Sequence, residues 1–165
     1  MDSSSTKQLR WDKIMMAFLK SKKHWSDLME FPFDRSYDRL VMINLLQKCQ
    51  NQYQTLESCA GTDGRYSSTE KTLLECLNQM VEHIRVASVR FKGHDQIESI
   101  LESLTAEHYV LKDVIPDFLK DCDETDMIFL SRSYRDSHVV IGMCLMELKV
   151  KPQPKKKERC RCVIV

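Results

Sequence analysis

The chain has 165 residues and a formal net charge of +1, and 42% of its residues are hydrophobic and 30% charged. This length suits one domain with a substantial core, and the balance of residue types excludes a disordered chain. The four glycines and four prolines are too few for glycine-rich phosphate loops, dinucleotide-binding fingerprints, collagen or a turn-dense β-sandwich. No apolar run approaches the roughly 18 residues that would span a bilayer, so the sequence predicts no transmembrane segment.

The small net charge hides a strong asymmetry along the chain. Residues 1–25 carry six basic and two acidic residues (net +4), and residues 149–161 carry seven basic residues and one acidic residue (net +6). The remaining body, residues 26–148, therefore has a net charge of −9. Because phosphates repel an acidic body, we expect no nucleic-acid partner. A basic terminus on an acidic body is typical of a chain that presents one end to an anionic surface.

The start of the chain predicts a cytosolic protein. It lacks the basic-then-apolar pattern of a secretory signal, and Asp2 stands where N-myristoylation requires glycine. The seven cysteines are an odd number with no paired spacing. We therefore expect reduced thiols.

A short first helix is predicted from about Thr6 to Ser21. Its apolar face holds Trp11, Ile14, Met15, Phe18 and Leu19. Several lysines flank this face, so the helix could lie on a membrane surface, although such a stripe more often belongs to a core. The next segment, residues 24–33, is too aromatic for a free linker, and we expect it to pack back on the protein.

Four longer segments repeat one pattern, in which apolar or small residues are spaced alternately by four and three. The stripes are Met42, Leu46, Cys49, Tyr53, Leu56 and Ala60; Leu73, Leu77, Met80, Ile84, Ala87 and Phe91; Ile97, Leu101, Leu104, His108, Leu111, Ile115 and Phe118; and Met127, Ser131, Tyr134, His138, Ile141, Leu145 and Leu148. A period of 3.5 residues puts each set on one helical face, as in antiparallel bundles. The predicted fold is all-α, an up-and-down bundle of four long helices plus the short N-terminal one.

Turn and capping residues separate the stripes. Gly61 ends the first, and Ser67 with Glu70 has the form of a capping box for the second. Gly93 then ends the second helix.

The third stripe has its own start and stop signals. Asp95 with Glu98 predicts an acidic cap at its beginning. Pro116 removes a backbone donor and clashes with the preceding turn, so we expect it to kink this helix or end it near Val114.

The acidic cluster between the third and fourth stripes favours helix capping. Asp121, Asp123 and Asp126 superficially suggest a calcium loop, but glycine and glutamate are missing from the sixth and twelfth places. Cys122 lies among these acids, which should raise its thiol pKa, the wrong direction for a nucleophile.

His108 and His138 fall on core stripes and are the remaining candidates for a site inside the bundle. One interpretation is a buried acid–base pair or a metal site. The other interpretation is a pair of core polar residues with hydrogen-bonded rings. It is favoured because no Glu-x-x-His or His-Glu-x-x-His pattern supplies the further ligands that a metal site needs. The second interpretation is preferred, and the sequence predicts no metal, no other cofactor and no enzyme.

The composition changes abruptly after Leu148. Residues 149–165 cannot bury apolar area, and their prolines favour an extended chain. The sequence therefore predicts a helical domain over residues 1–148 and a disordered tether over residues 149–165.

The last four residues, Cys162-Val163-Ile164-Val165, resemble the CaaX box of prenylated proteins. A basic run precedes them, as in the tails of Ras- and Rho-type small GTPases: Lys151, Lys155, Lys156, Lys157, Arg159 and Arg161. The resemblance covers about the last fifteen residues, and the body has no GTPase phosphate loop.

This resemblance implies that Cys162 is alkylated by an isoprenoid, that Val163, Ile164 and Val165 are removed, and that the new carboxyl end is methylated. Val165 is not a usual terminal residue for either lipid, so farnesyl and geranylgeranyl both stay open. Cys160 is a neighbouring candidate for palmitoylation.

Such a tail acts as an anchor with two signals. One lipid chain alone binds a bilayer marginally, and each basic residue near an anionic leaflet adds roughly 1 kcal/mol. The sequence thus predicts a membrane-anchored adaptor or regulatory protein, monomeric or weakly oligomeric, on the cytosolic face of a membrane. Its protein partners are unknown.

Two alternatives remain open. An unprocessed Val-Ile-Val terminus resembles a PDZ ligand, which docks by strand addition with its carboxylate held by the domain. Processing would destroy that carboxylate, so the two functions exclude each other on one molecule. A lipid-binding bundle with an internal cavity is the other alternative.

Overall fold

The computed structural model describes residues 3–60 and 66–150, and these residues form five helices and no strand. The helices are α1 (Ser3–Leu28), α2 (Ser36–Ala60), α3 (Tyr66–Arg90), α4 (Asp95–Lys120) and α5 (Glu124–Val150). The all-α prediction is confirmed. The predicted turn at Gly61 lies outside the described residues, as does everything beyond Val150.

The predicted stripes form the core. The stripe residues of α3, from Leu73 to Phe91, and those of α4, from Ile97 to Phe118, are all buried. The stripe residues of α2 are buried up to Leu56. The α5 stripe is buried at Tyr134 and from Ile141 onward. Alternate spacing by four and three keeps these side chains on the inward face of each helix, where they exclude water together.

The helices pack around the core in the order α1, α4, α3, α2, α5 and back to α1. Ion pairs fix their directions. Asp38 at the start of α2 pairs with Arg90 at the end of α3, at 3.0 Å, so these helices are antiparallel. Lys7 near the start of α1 pairs with Asp126 near the start of α5, at 2.6 Å, so these helices are parallel neighbours. Adjacency in the bundle thus differs from order in the chain, since α5 lies between α1 and α2.

This arrangement gives the bundle two unlike ends. Val150 lies at the same end as the connections of residues 29–35 and 91–94, and we call this end the tail pole. The α4–α5 connection lies at the other end, about 40 Å away given the 27 residues of α5. We call that end the acidic pole, since Asp121, Asp123 and Asp126 are found there.

The prediction of a short first helix was wrong, because α1 has 26 residues and continues to Leu28. Five of its buried residues, Ile14, Phe18, Ser21, Trp25 and Leu28, keep the spacing of the other core stripes. The aromatic segment does pack on the bundle, as expected, but largely as the last turns of this helix. Leu19, which was placed on its inward face, is exposed.

The prediction that Pro116 ends the helix near Val114 was wrong, because α4 runs on to Lys120, and the alternative of a kink stays a prediction. Beyond the proline, Phe118 and Leu119 are buried. Burial of these two side chains offsets the lost hydrogen bond and holds the last turn in helical geometry.

The start of α4 uses a different cap from the one expected, whereas the start of α5 is capped by the acidic cluster as expected. His94 caps α4, since its Nδ1 accepts from the Ile97 amide at 3.3 Å, so Asp95 is a first-turn residue rather than the cap. At the start of α5, Asp123 and Asp126 each accept a hydrogen bond from the other's amide, at 2.8 and 3.1 Å. The capping interpretation of the acidic cluster therefore holds.

Candidate functional site

Two predicted features lie outside the described residues: the lipidation sites Cys160 and Cys162, and the basic run from Lys151 that is expected to bind anionic lipid. The structure places the point where they begin. Val150, the last residue of α5, is 81% exposed at the tail pole. A chain that continues from it therefore starts at the surface.

His108 lies in the interior, where α1, α2 and α4 meet. Its Nδ1 is 2.7 Å from the Leu104 carbonyl, which can only accept, so Nδ1 carries the proton and Nε2 accepts from the Tyr53 hydroxyl at 2.7 Å. Trp25 lies edge to face against the ring. Burial lowers the pKa of His108 to about 4, so the ring is neutral at pH 7. Both ring nitrogens are used within the core.

His138 has separate partners at the α2–α5 seam. Its Nε2 lies 2.6 Å from Glu57, whose other oxygen accepts from Arg135 at 2.6 Å. The hydrogen bonds from Arg135 and His138 lower the pKa of Glu57. The structure thus gives His108 and His138 different side-chain partners, Tyr53 and Glu57, which lie one turn apart on α2, and it does not pair the two rings with each other.

A third polar group, at the α1–α4 seam, was missed by the sequence analysis. His24 Nδ1 lies 3.0 Å from Glu107 Oε1, and the Ser21 hydroxyl donates to the same oxygen at 3.4 Å. Burial raises the pKa of Glu107, against the opposing hydrogen bond from His24. Its residue types are those of a hydrolytic triad, but its geometry differs: Ser21 is fully buried and bonds to the carboxylate instead of to the imidazole. The group ties two helices together.

The cysteines inside the described ranges are reduced thiols, and most of them are buried. Burial raises the pKa of Cys76 to about 11 and, together with the charges of Asp126 and Asp123, that of Cys122 to about 12. The predicted direction for Cys122 is confirmed, although burial has a larger effect than the acids. These thiols are protonated at neutral pH and act as small core residues.

Two surface cavities adjoin each other at the tail pole. One, of about 870 Å³, lies between α1 and α4 and is lined by Lys23, Asp27, Phe31 and Asp95 among others. The second, of about 450 Å³, also touches Phe31 and reaches the residue 91–94 connection. Neither His108 nor His138 lines them. In the part of the chain that the structure describes, no cluster of three potential metal ligands occurs, and no helix is long and apolar enough to cross a membrane.

Comparisons with known proteins add no relative. No family model, no curated protein and no solved structure matches the chain.

Proposed function

We propose that this protein is a prenylated helical module, held at the cytosolic face of a membrane by its tail and acting there through protein–protein contacts. The observation that carries the proposal is the ending Cys162-Val163-Ile164-Val165 behind a basic run. Cys162 would receive the isoprenoid, and Val163 to Val165 would be removed. Cys160 would be available for a palmitoyl group.

The position of the last helix supports this function. α5 ends at the surface, and eleven residues separate Val150 from Cys162. An extended chain of that length spans about 35–40 Å, so the lipid can reach a bilayer without any helix unfolding. The tether also allows the bundle to turn its faces toward partners on the membrane.

The charge distribution supports the same function. The basic run is attracted to anionic lipid, and it continues from the tail pole. This attraction favours an orientation in which the tail pole is nearer the membrane.

The described polar groups support an interaction module in preference to an enzyme. His108, His138 and Glu107 each pair with side chains of another helix and so connect elements of the fold. Surfaces for partners are then the exposed helix faces and the two cavities at the tail pole.

The proposal predicts that Cys162→Ser moves the protein from the membrane to the soluble fraction, because serine cannot be alkylated by the prenyl transferase. The measurement is fractionation of eukaryotic cells that express the full chain. Cys160→Ser is the matched control: it removes a neighbouring thiol and leaves the isoprenoid in place, so most of the protein should stay on membranes.

Unchanged fractionation of Cys162→Ser would contradict anchoring by prenylation. In that case a Val-Ile-Val terminus that stays intact would favour the PDZ-ligand function. Adding residues after Val165 would then abolish partner capture.

A further inference from the structure

Exposed large apolar side chains are concentrated on one side of the bundle. Of the fifteen such residues in the described ranges, nine belong to α1 and α5, two of the five helices. These helices are parallel neighbours, so their outer faces form one continuous side, which we call the α1–α5 face. α3 packs against α2 and α4, on the opposite side of the ring.

The α5 part of this face is a stripe that leads into the tail. Val139, Met143, Met146 and Val150 follow the spacing four, three, four, so they share one line along the helix. Their exposed fractions are 48, 65, 70 and 81% in that order. The stripe is thus most exposed next to the predicted lipid anchor. Exposed apolar side chains that lie together in this way mark a surface that contacts a partner or a membrane.

The α1 part of the face adds basic charge. α1 has six basic and two acidic residues, a net charge of +4, whereas α4, with two basic and six acidic residues, has −4. Its exposed residues include Met16 and Leu19 beside Lys20 and Lys23. Apolar side chains interspersed with lysine are the composition of helices that lie in the interface of an anionic membrane.

We propose that the tail-pole half of the α1–α5 face contacts an anionic lipid bilayer, with the bundle tilted so that the acidic pole points away from it and with the α5 stripe inserted at the level of the headgroups and upper acyl chains. This inference rests on the proposed anchoring, which would bring α5 within a short tether of the lipid. Two adjacent parallel helices can both contact a flat membrane surface at the same time, so this side of the bundle suits such a contact. Methionine, unbranched and flexible, adapts to such a disordered surface.

The face is tested by placing an indole on it. The prenylated full chain carrying Met146→Trp is compared with Val89→Trp, a matched control on α3, where Val86 and Val89 are 59 and 66% exposed. Both are mixed with phosphatidylcholine–phosphatidylserine vesicles whose acyl chains are brominated, and the parent protein gives the background of Trp11 and Trp25. We expect the Met146→Trp indole to lose about half or more of its emission, since interfacial side chains lie roughly 5–10 Å into the boundary. The Val89→Trp indole should lose little.

A second pair of variants measures the contribution of the stripe to binding. Met143→Asp with Met146→Asp should weaken vesicle binding of the prenylated chain by about tenfold or more, because two charges would enter the interface. Val86→Asp with Val89→Asp places the same charges on α3 and should leave the affinity within about twofold.

Equal quenching at the two indoles, or none at Met146→Trp while the prenylated chain binds vesicles, overturns the face and leaves the anchoring intact. A change from dimer to monomer with Met143→Asp and Met146→Asp, in the absence of vesicles, also overturns it, since the stripe would then join two copies of the chain. If Cys162→Ser still binds vesicles and its Met146→Trp indole is quenched, the face is supported and anchoring that depends on the isoprenoid is contradicted. If the prenylated chain does not bind vesicles at all, both the proposed membrane-binding face and the proposed anchoring are overturned.

Discussion

His108 is a titratable residue in the core of the bundle, and its protonation state affects the stability of the fold. Its ring is fully buried and neutral, with Nδ1 donating to Leu104 and Nε2 accepting from Tyr53. Protonation would place a charge in a dry environment and would turn the acceptor of the Tyr53 hydroxyl into a donor. The folded chain therefore resists protonation of this ring.

This resistance makes stability depend on pH in a defined window. The pKa of His108 is about 4 in the folded state against 6.5 for an ordinary histidine, so between these values the unfolded chain binds a proton that the folded chain does not. The free energy of unfolding should fall as the pH is lowered from about 6.5 to about 4, by on the order of 3 kcal/mol, and this group has no effect above that window.

Denaturant unfolding of the parent and of His108→Gln at several pH values measures this effect. Glutamine cannot be protonated, so the parent should lose more stability than the variant as the pH falls. Glu107 acts in the opposite direction, because its pKa is raised and acid favours its folded form. Both proteins contain Glu107, so the comparison cancels it, and parallel pH profiles would show that His108 is not the group responsible.

The polar group around Glu107 shows where sequence analysis reaches its limit at the scale of residues. His24 and Glu107 are 83 residues apart in the chain, and nothing local to either predicts that α1 and α4 are neighbours. A partial signal was present. Ser21 and Trp25 continue the core spacing of Ile14 and Phe18, which would have extended α1 and placed His24 beside the core.

At the scale of elements, periodicity predicted the four long helices because burial and helical geometry agree along their whole length. Signals from single residues, such as capping residues and proline, were less reliable for predicting where a helix begins and ends. His94 took the cap assigned to Asp95, and α4 continued past Pro116. In both places tertiary contacts decided the outcome: Phe118 and Leu119 are buried beyond the proline, and no local pattern reports that burial.

The continuation of α4 predicts that Pro116→Ala stabilises the protein. Alanine restores the amide that can donate to the Lys112 carbonyl, and the gain should exceed the added freedom of the unfolded chain, giving about 1–2 kcal/mol in the free energy of unfolding. Pro32→Ala, in the connection of residues 29–35, is the control and should lower stability by about 0.5–1 kcal/mol. A loss of stability with Pro116→Ala would mean that α4 is adapted to the proline.

At the scale of the whole molecule, the separation of charge matters more than the net charge of +1. The described helices end in an acidic pole about 40 Å from the start of the basic tail. Fields of this kind fall off within about a Debye length, near 8–10 Å, so the tail can be held by anionic lipid while the acidic pole projects away from it.

The tail charges should therefore contribute to membrane affinity independently of the body. Lys156→Gln with Lys157→Gln should weaken binding of the prenylated chain to phosphatidylserine vesicles about 30-fold at low salt, since each lysine adds roughly 1 kcal/mol. Vesicle co-sedimentation measures this, and the loss should shrink as salt is raised. Lys48→Gln with Lys71→Gln, two exposed lysines of the body, is the matched control. Equal losses for the two pairs would indicate that membrane affinity follows total charge rather than the tail.

The most direct test of the account is the intact mass of the full-length protein purified from eukaryotic cells. We expect a chain that lacks Val163, Ile164 and Val165 and carries one isoprenoid and a methyl group at its Cys162 end, with an additional acyl group where Cys160 is modified. A mass that matches the unmodified sequence, with all three terminal residues present, would contradict the anchoring mechanism.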